Sequence, residues 1–126
     1  MKKILLVLIM VLMVGMVFAD ISEQDVRDKY EKKGGFSNRD VWLYEFNSIA
    51  SELIRDSTRI QEGFAVDTFR RSFNNNCVIY KVLLDIGVEM KYITDTIRKQ
   101  QMSKAEVERK KVAQYLASQS SGLGLE

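Results

Sequence analysis

Apolar residues recur at helical spacing in two long stretches of the chain. In the first stretch the positions step by 4, 3, 4, 3 and 4 residues, and all but Asp56 are apolar: Trp42, Phe46, Ile49, Leu53, Asp56 and Ile60. The same steps recur in Ile79, Leu83, Ile86, Met90, Ile93 and Ile97. This spacing gathers side chains into one stripe along an α-helix. The pattern predicts two long helices, over about 38–62 and 77–101, which pair antiparallel through their stripes and place Trp42 opposite Ile97.

Helix start and stop signals predict the shorter elements. Ser22 with Asp25 is a weak form of a capping box, and it predicts a short first helix that ends at Gly34 and Gly35. Ser37 and Asn38 are the candidate N-caps for the second helix, and Gly63 suits the left-handed position that ends it.

Weaker signals divide the rest of the chain. Residues 65–73 are predicted to form a connector with helical character, and the asparagines at 74–76 are predicted to form a turn. Ser103 with Glu106 fits a second capping box, which predicts a bend or break near Gln100 and a restarted helix after it. The small and polar residues from Ser118 to Glu126 predict a disordered tail.

The amino-terminal segment has the order of a secretory signal peptide. Lys2 and Lys3 precede an apolar run from Ile4 to Phe18, and small Ala19 follows that run. The run is shorter than the roughly 20 residues needed to span a bilayer. We therefore expect residues 1–19 to be removed before Asp20, and the alternative is an uncleaved membrane anchor. The compact segment is typical of bacteria, which predicts a mature protein in the periplasm, at the cell surface or outside the cell.

The predicted fold class is therefore all-α. It is a small helical bundle, of the coiled-coil type in its helix pairing, built on one long antiparallel helix pair with short flanking helices. The predicted divisions are a signal peptide over 1–19, a helical domain over 20–117 and a disordered tail over 118–126. A dimer that shares the same stripes is the alternative to a bundle that closes on itself.

Charge and composition limit the function. Removing residues 1–19 leaves 17 basic and 17 acidic residues, so the mature chain is neutral and has no general attraction for nucleic acid. Histidine is absent, which removes histidine-based triads and metal sites. The sequence predicts no catalytic, cofactor-binding or metal site.

Three residues are candidates for interaction or for setting the helix register. Asp56 interrupts an apolar stripe, so it needs a partner such as Arg59 or Lys81 if it is buried, and the alternative is a stripe edge that faces water. Cys77 is the only cysteine and can join a second chain, or it can be a small buried side chain at a helix start, where the helix would lower its pKa. Tyr44 lies off the stripe and belongs either to a binding surface or to a half-buried flank.

These features favour an exported, non-enzymatic helical protein that acts through protein–protein contact or self-association. A periplasmic or cell-surface accessory, a chaperone-like binder and a structural component all fit this class. One alternative is a small secreted hydrolase that uses carboxylates. Another is a membrane-tethered bundle with an uncleaved amino-terminal anchor. If the segment is cleaved, we expect the protein to contact the membrane only during export.

Overall fold

The computed structural model describes residues 21–122, with side chains up to residue 119. That range contains four helices and no strand: α1 over Glu23–Lys32, α2 over Arg39–Gln61, α3 over Val66–Glu89 and α4 over Asp95–Gly122. The all-α prediction is confirmed for this part of the chain. The predicted signal peptide and its cleavage point before Asp20 lie outside the described residues. The predicted tail lies partly inside them, and there α4 continues through Gly122 instead of ending before Ser118.

The predicted caps of the first two helices are confirmed. The Ser22 hydroxyl accepts a hydrogen bond from the backbone N–H of Asp25, and the Asp25 carboxylate accepts one from the N–H of Ser22. Asn38 caps α2 by accepting from the N–H of Val41 at 3.0 Å. At the other end of α2, Gly63 adopts a φ of +75°, the left-handed backbone that glycine allows without strain.

The predicted turn at the three asparagines is wrong, because α3 runs unbroken from Val66 to Glu89. Two of the asparagines are committed to tertiary contacts. Asn75 Oδ1 accepts from the backbone N–H of Ile21, and Asn76 Nδ2 donates to the carboxylate of Asp56. Asparagine favours turns because its side chain bonds to nearby backbone, and here distant partners occupy those side chains instead.

The predicted position of the helix break is also wrong. The chain leaves the helix after Glu89, and Lys91 takes a left-handed φ of 62°. The N–H of Tyr92 then reaches back to the carbonyl of Gly87 at 2.8 Å, a Schellman-type closure with lysine in the place of the usual glycine. Thr94 starts α4 by accepting from the N–H of Ile97. Ser103 lies inside α4, where its hydroxyl donates to a backbone carbonyl one turn earlier.

The helix pair at the centre of the molecule is therefore α2 with α3. The Trp42 indole Nε1–H donates to the carbonyl of Leu83, and the Phe46 and Tyr80 rings lie 4.9 Å apart. Early residues of α2 thus meet late residues of α3, and the two helices run in opposite directions. Trp42 contacts Leu83 and Gly87 rather than the predicted Ile97, because the second stripe crosses the break and does not continue along one helix.

The two other helices pack on this pair. α1 lies along α3, where Arg27 pairs with Glu89 at 2.8 Å and Lys81 pairs with Glu23 at 2.6 Å. α4 packs on α2 and α3, and its buried side chains in the described range are Ala105 and Val112. With 28 residues α4 is the longest of the four helices, so the prediction of only short flanking helices is wrong.

Candidate interaction surface

Helix α2 carries two stripes with the same spacing on opposite sides. The buried stripe confirms the sequence pattern, since all six of its residues from Trp42 to Ile60 are buried. A second stripe starts two residues earlier, which is a rotation of about 200° around the helix. Its members are all exposed, and they are Asp40, Tyr44, Asn47, Ser51, Ile54 and Thr58. α2 therefore has a core side and an equally regular outer side.

The fully exposed positions on the outer side carry no charge over its central part, and the half-buried Glu45 and Glu52 lie at its edge. Every exposed residue from Val41 to Ile54 is uncharged, and the full set is Val41, Tyr44, Asn47, Ser48, Ser51 and Ile54. Tyr44 is 78% exposed, so its interpretation as a half-buried flank is wrong, and Ile54 is 54% exposed. Protein-binding surfaces are depleted in charge at their centre and enriched in tyrosine. We refer to this surface, from Asp40 to Arg55, as the outer face of α2.

Opposite charges lie at the two ends of the outer face. Asp40 is in the first turn of α2, where its carboxylate complements the helix dipole. Arg55 lies at the far end with 59% of its side chain exposed, and its guanidinium is 3.8 Å from Asp56 Oδ1. Both side chains therefore reach solvent beside the uncharged centre.

Asp56 lies beneath this face in the α2–α3 contact. Its side chain is fully buried, so the alternative in which it faces water is wrong. One carboxylate oxygen accepts from Ser72 Oγ at 2.6 Å and from Asn76 Nδ2 at 2.9 Å. The other oxygen, Oδ1, accepts no hydrogen bond. A buried carboxylate is costly without such partners, and Ser72 and Asn76 reduce that cost.

The partners expected for Asp56 are engaged elsewhere. Arg59 pairs with Glu62 at 3.3 Å, and Lys81 pairs with Glu23 on α1. Sequence reasoning missed Ser72 and Asn76 because it placed a connector and a turn where α3 has already begun. If α3 had been predicted to begin at Val66, the four-residue spacing of Ser72 and Asn76 would have placed both on one side of the helix. That would have indicated one polar patch on the face toward α2.

Cys77 lies within α3, one turn after Phe73, and not at a helix start. Its thiol is half-buried in a cleft of about 370 Å³ between α3 and α4. Burial raises the pKa of Cys77 to about 11, and the opposing influence of the Arg109 charge is smaller. The expectation of a lowered pKa is therefore wrong, because Cys77 lies inside α3 rather than at its start and burial is the largest influence on the thiol.

A second cleft, of about 490 Å³, lies between α1 and the end of α3. Its walls include the paired side chains of Arg27 and Glu89 together with the apolar surfaces of Tyr30, Phe36 and Met90. The Arg27 guanidinium donates to both Glu89 oxygens, at 3.2 and 2.8 Å, and this lowers the pKa of Glu89. Since the two charges neutralise each other, the cleft presents mainly apolar surface.

Metal and membrane features can be stated for the described residues. Within 21–122, no group of three or more acidic or cysteine side chains is placed to hold a metal ion. None of the helices in that range combines the length and the apolar character that crossing a bilayer requires.

Over residues 21–122 the chain is a small all-helical bundle. Comparisons with models of protein families, with curated proteins and with solved structures found no match to this chain.

Proposed function

We propose that this chain is an exported helical protein, without catalytic activity of its own, that acts through protein–protein contact. An accessory subunit, a chaperone-like binder and a structural component of the periplasm or cell surface are the roles that fit. The observation that carries the proposal is the set of uncharged exposed residues on the outer face of α2, among which Tyr44 is 78% exposed. Tyrosine supplies a large contact area with few rotatable bonds, which suits it to binding surfaces.

Comparison with α4 supports this reading of the face. The exposed side of α4 carries closely spaced charges, as helices that face only water do, and these include Lys104, Glu106, Arg109 and Lys110. Charged residues make up 29% of the chain. Six exposed positions on α2 without a charge between Val41 and Ile54 therefore differ from the exposed side of α4.

Contact in the producing cell tests the interaction. A photoactivatable aromatic residue in place of Tyr44 should give a cross-linked product of one discrete mass. The same residue in place of Lys110, which is exposed on α4, is the matched control and should give none. Equal labelling at both positions, or no product at either, would contradict the proposal.

Export has a separate test because it rests on residues 1–19. Mass spectrometry of the native protein should find an amino terminus at Asp20. An amino terminus at Met1 in a membrane fraction would instead favour the tethered bundle. Hydrolytic turnover by the pure protein would contradict the non-enzymatic part of the proposal.

A further inference from the structure

The outer face of α2 matches itself when it is turned end to end. Its residues are spaced symmetrically about the midpoint between Asn47 and Ser48, because positions 41, 44 and 47 precede that point as 54, 51 and 48 follow it. In an antiparallel pair of identical helices related by a twofold axis through this midpoint, each of these residues therefore lies at the same height as its counterpart on the other helix. The contacts along the centre of the pair are Tyr44 with Ser51 and Asn47 with Ser48. Val41 and Ile54 are about 140° apart around the helix, so they lie on the two edges of the face.

The residues of this pairing are chemically suited to it. Val41 and Ile54 are both apolar and about half exposed, at 47% and 54%, so each edge of the pair carries an apolar side chain from both copies. The large ring of Tyr44 faces the small side chain of Ser51, which leaves room for the ring between the helices. Asn47 and Ser48 both donate and accept hydrogen bonds, so they can pair across the axis.

Charge complementarity extends the match to the two ends of the face. Asp40 and Arg55 are also equidistant from the midpoint, so the antiparallel pair places each Asp40 beside the Arg55 of the other chain. The symmetry makes this contact twice. A parallel pair would instead place Asp40 beside Asp40 and Arg55 beside Arg55, and both contacts would be repulsive.

We infer that the outer face of α2 binds the same face of a second copy of this chain, in an antiparallel and twofold-symmetric helix pair. This inference rests on the proposed function, to which it adds the identity of the partner. The face runs about 20 Å along the helix from Val41 to Ile54. One helix stripe of that length is well below the roughly 800 Å² per partner of a stable interface. The dimer is therefore weak and reversible.

Sedimentation of the chain as recovered from its producing cells tests the inference. We expect a monomer at about 1 µM and a growing dimer fraction toward about 1 mM, as weak interfaces show. Asp40→Lys places two lysines beside two Arg55 side chains and should raise the dissociation constant about tenfold or more. Lys110→Asp, an exposed charge reversal on α4, should leave it unchanged. Asp40→Lys combined with Arg55→Glu should restore most of the affinity.

Disulfide trapping checks the register independently of those charges. In a Cys77→Ser background, Ser48→Cys lies about 1.5 Å along the helix from its own copy, whereas Thr58→Cys lies about 30 Å from its copy. Oxidation should therefore link Ser48→Cys rapidly and Thr58→Cys not at all. Both cysteines are exposed on the same side of α2, so the comparison is matched.

Three results would overturn the inference: a monomer at every concentration, a dimer that Asp40→Lys does not weaken, or equal linking at both cysteines. A cross-linked product at Tyr44 with a different protein, together with a monomer in solution, would overturn the second copy as partner and leave the proposed function standing. The absence of any cross-linked product at Tyr44 would contradict both the proposed function and the second copy as partner.

Discussion

The indole ring of Trp42 lies directly against the backbone of Gly87. A Cβ atom built on Gly87 would be 2.5 Å from Cζ2 of the ring and 3.1 Å from Cγ1 of Ile93. Trp42 is 1% exposed, and its Nε1–H is held by the Leu83 carbonyl at 2.8 Å. The ring therefore cannot withdraw, and the glycine is required by a side chain that packs on it from the neighbouring helix.

Gly87→Ala should destabilise the protein although alanine is the better helix former. The propensity gain is about 1 kcal/mol, and overpacking a core typically costs about 1 to 3 kcal/mol. The difference is a fall in the free energy of unfolding of up to about 2 kcal/mol, which urea titrations would measure. In the Trp42→Phe background the smaller ring should reduce the effect of Gly87→Ala. An alanine that stabilises the wild-type chain would contradict this packing.

Asp56→Ala should be much more damaging than the loss of an exposed carboxylate. It removes the acceptor of Ser72 and Asn76 and leaves two polar groups without that partner, at about 1 to 3 kcal/mol each. We expect a loss of about 2 to 4 kcal/mol in chemical unfolding. Asp67→Ala is the control, because that side chain is 93% exposed and 3.8 Å from Arg70, and it should change stability by less than about 0.5 kcal/mol. Equal effects would show that the buried contacts are not formed.

The Cys77 thiol should react slowly at neutral pH. Only the thiolate is nucleophilic, and a pKa of about 11 against a usual value of 9.0 leaves about a hundredfold less thiolate. The rate with an aromatic disulfide reagent should therefore rise with pH up to about 11 in the folded protein, and it should rise steeply on addition of urea. Ser51→Cys in a Cys77→Ser background is exposed and should react at the rate of the unfolded chain. A folded-state rate at pH 8 equal to that control would contradict the burial.

The Arg27–Glu89 pair should make the docking of α1 weakly acid-sensitive. Hydrogen bonds from Arg27 lower the pKa of Glu89 below its usual value of 4.5, so the folded state holds this proton less tightly than the unfolded state does. The stabilisation is complete above about pH 4.5 and is lost as the pH falls through the lowered pKa. Carbon-detected NMR should find a Glu89 midpoint below 4.5, which Arg27→Gln moves upward. Since both side chains are substantially exposed, the change in stability should be well under about 1 kcal/mol.

The sequence predicted α2 well because all of its signals agree. The Asn38 cap, the apolar stripe and the left-handed Gly63 all lie in one continuous helix. The end of α3 was missed because the helix ends at Met90 and Lys91 with neither glycine nor proline, while the apolar spacing continues past the break. The Thr94–Asp95 pair, a polar cap followed by an acidic first turn, was the local signal available.

The polar contacts were predictable only in part. The spacing marked Asp56 as unusual, but its partners depend on how α2 and α3 are aligned, and the alignment depends on where α3 begins. The outer face of α2 is visible in the sequence as a second set of positions two residues out of step with the core. The structure was needed to recognise it as a free surface, because only the burial of each residue shows that this side of the helix is uncovered.

Helix α4 packs on the bundle along one narrow side. Ala105 and Val112 are buried and Met102, Tyr115 and Leu116 pack half-buried beside them, while most of its other described side chains are exposed. Stability in a protein is distributed unevenly, and such a segment opens without unfolding the rest. Amide hydrogens of α4 should therefore exchange with solvent well before those of α2 and α3. The antiparallel pair of α2 and α3 then stays folded while α4 separates from it.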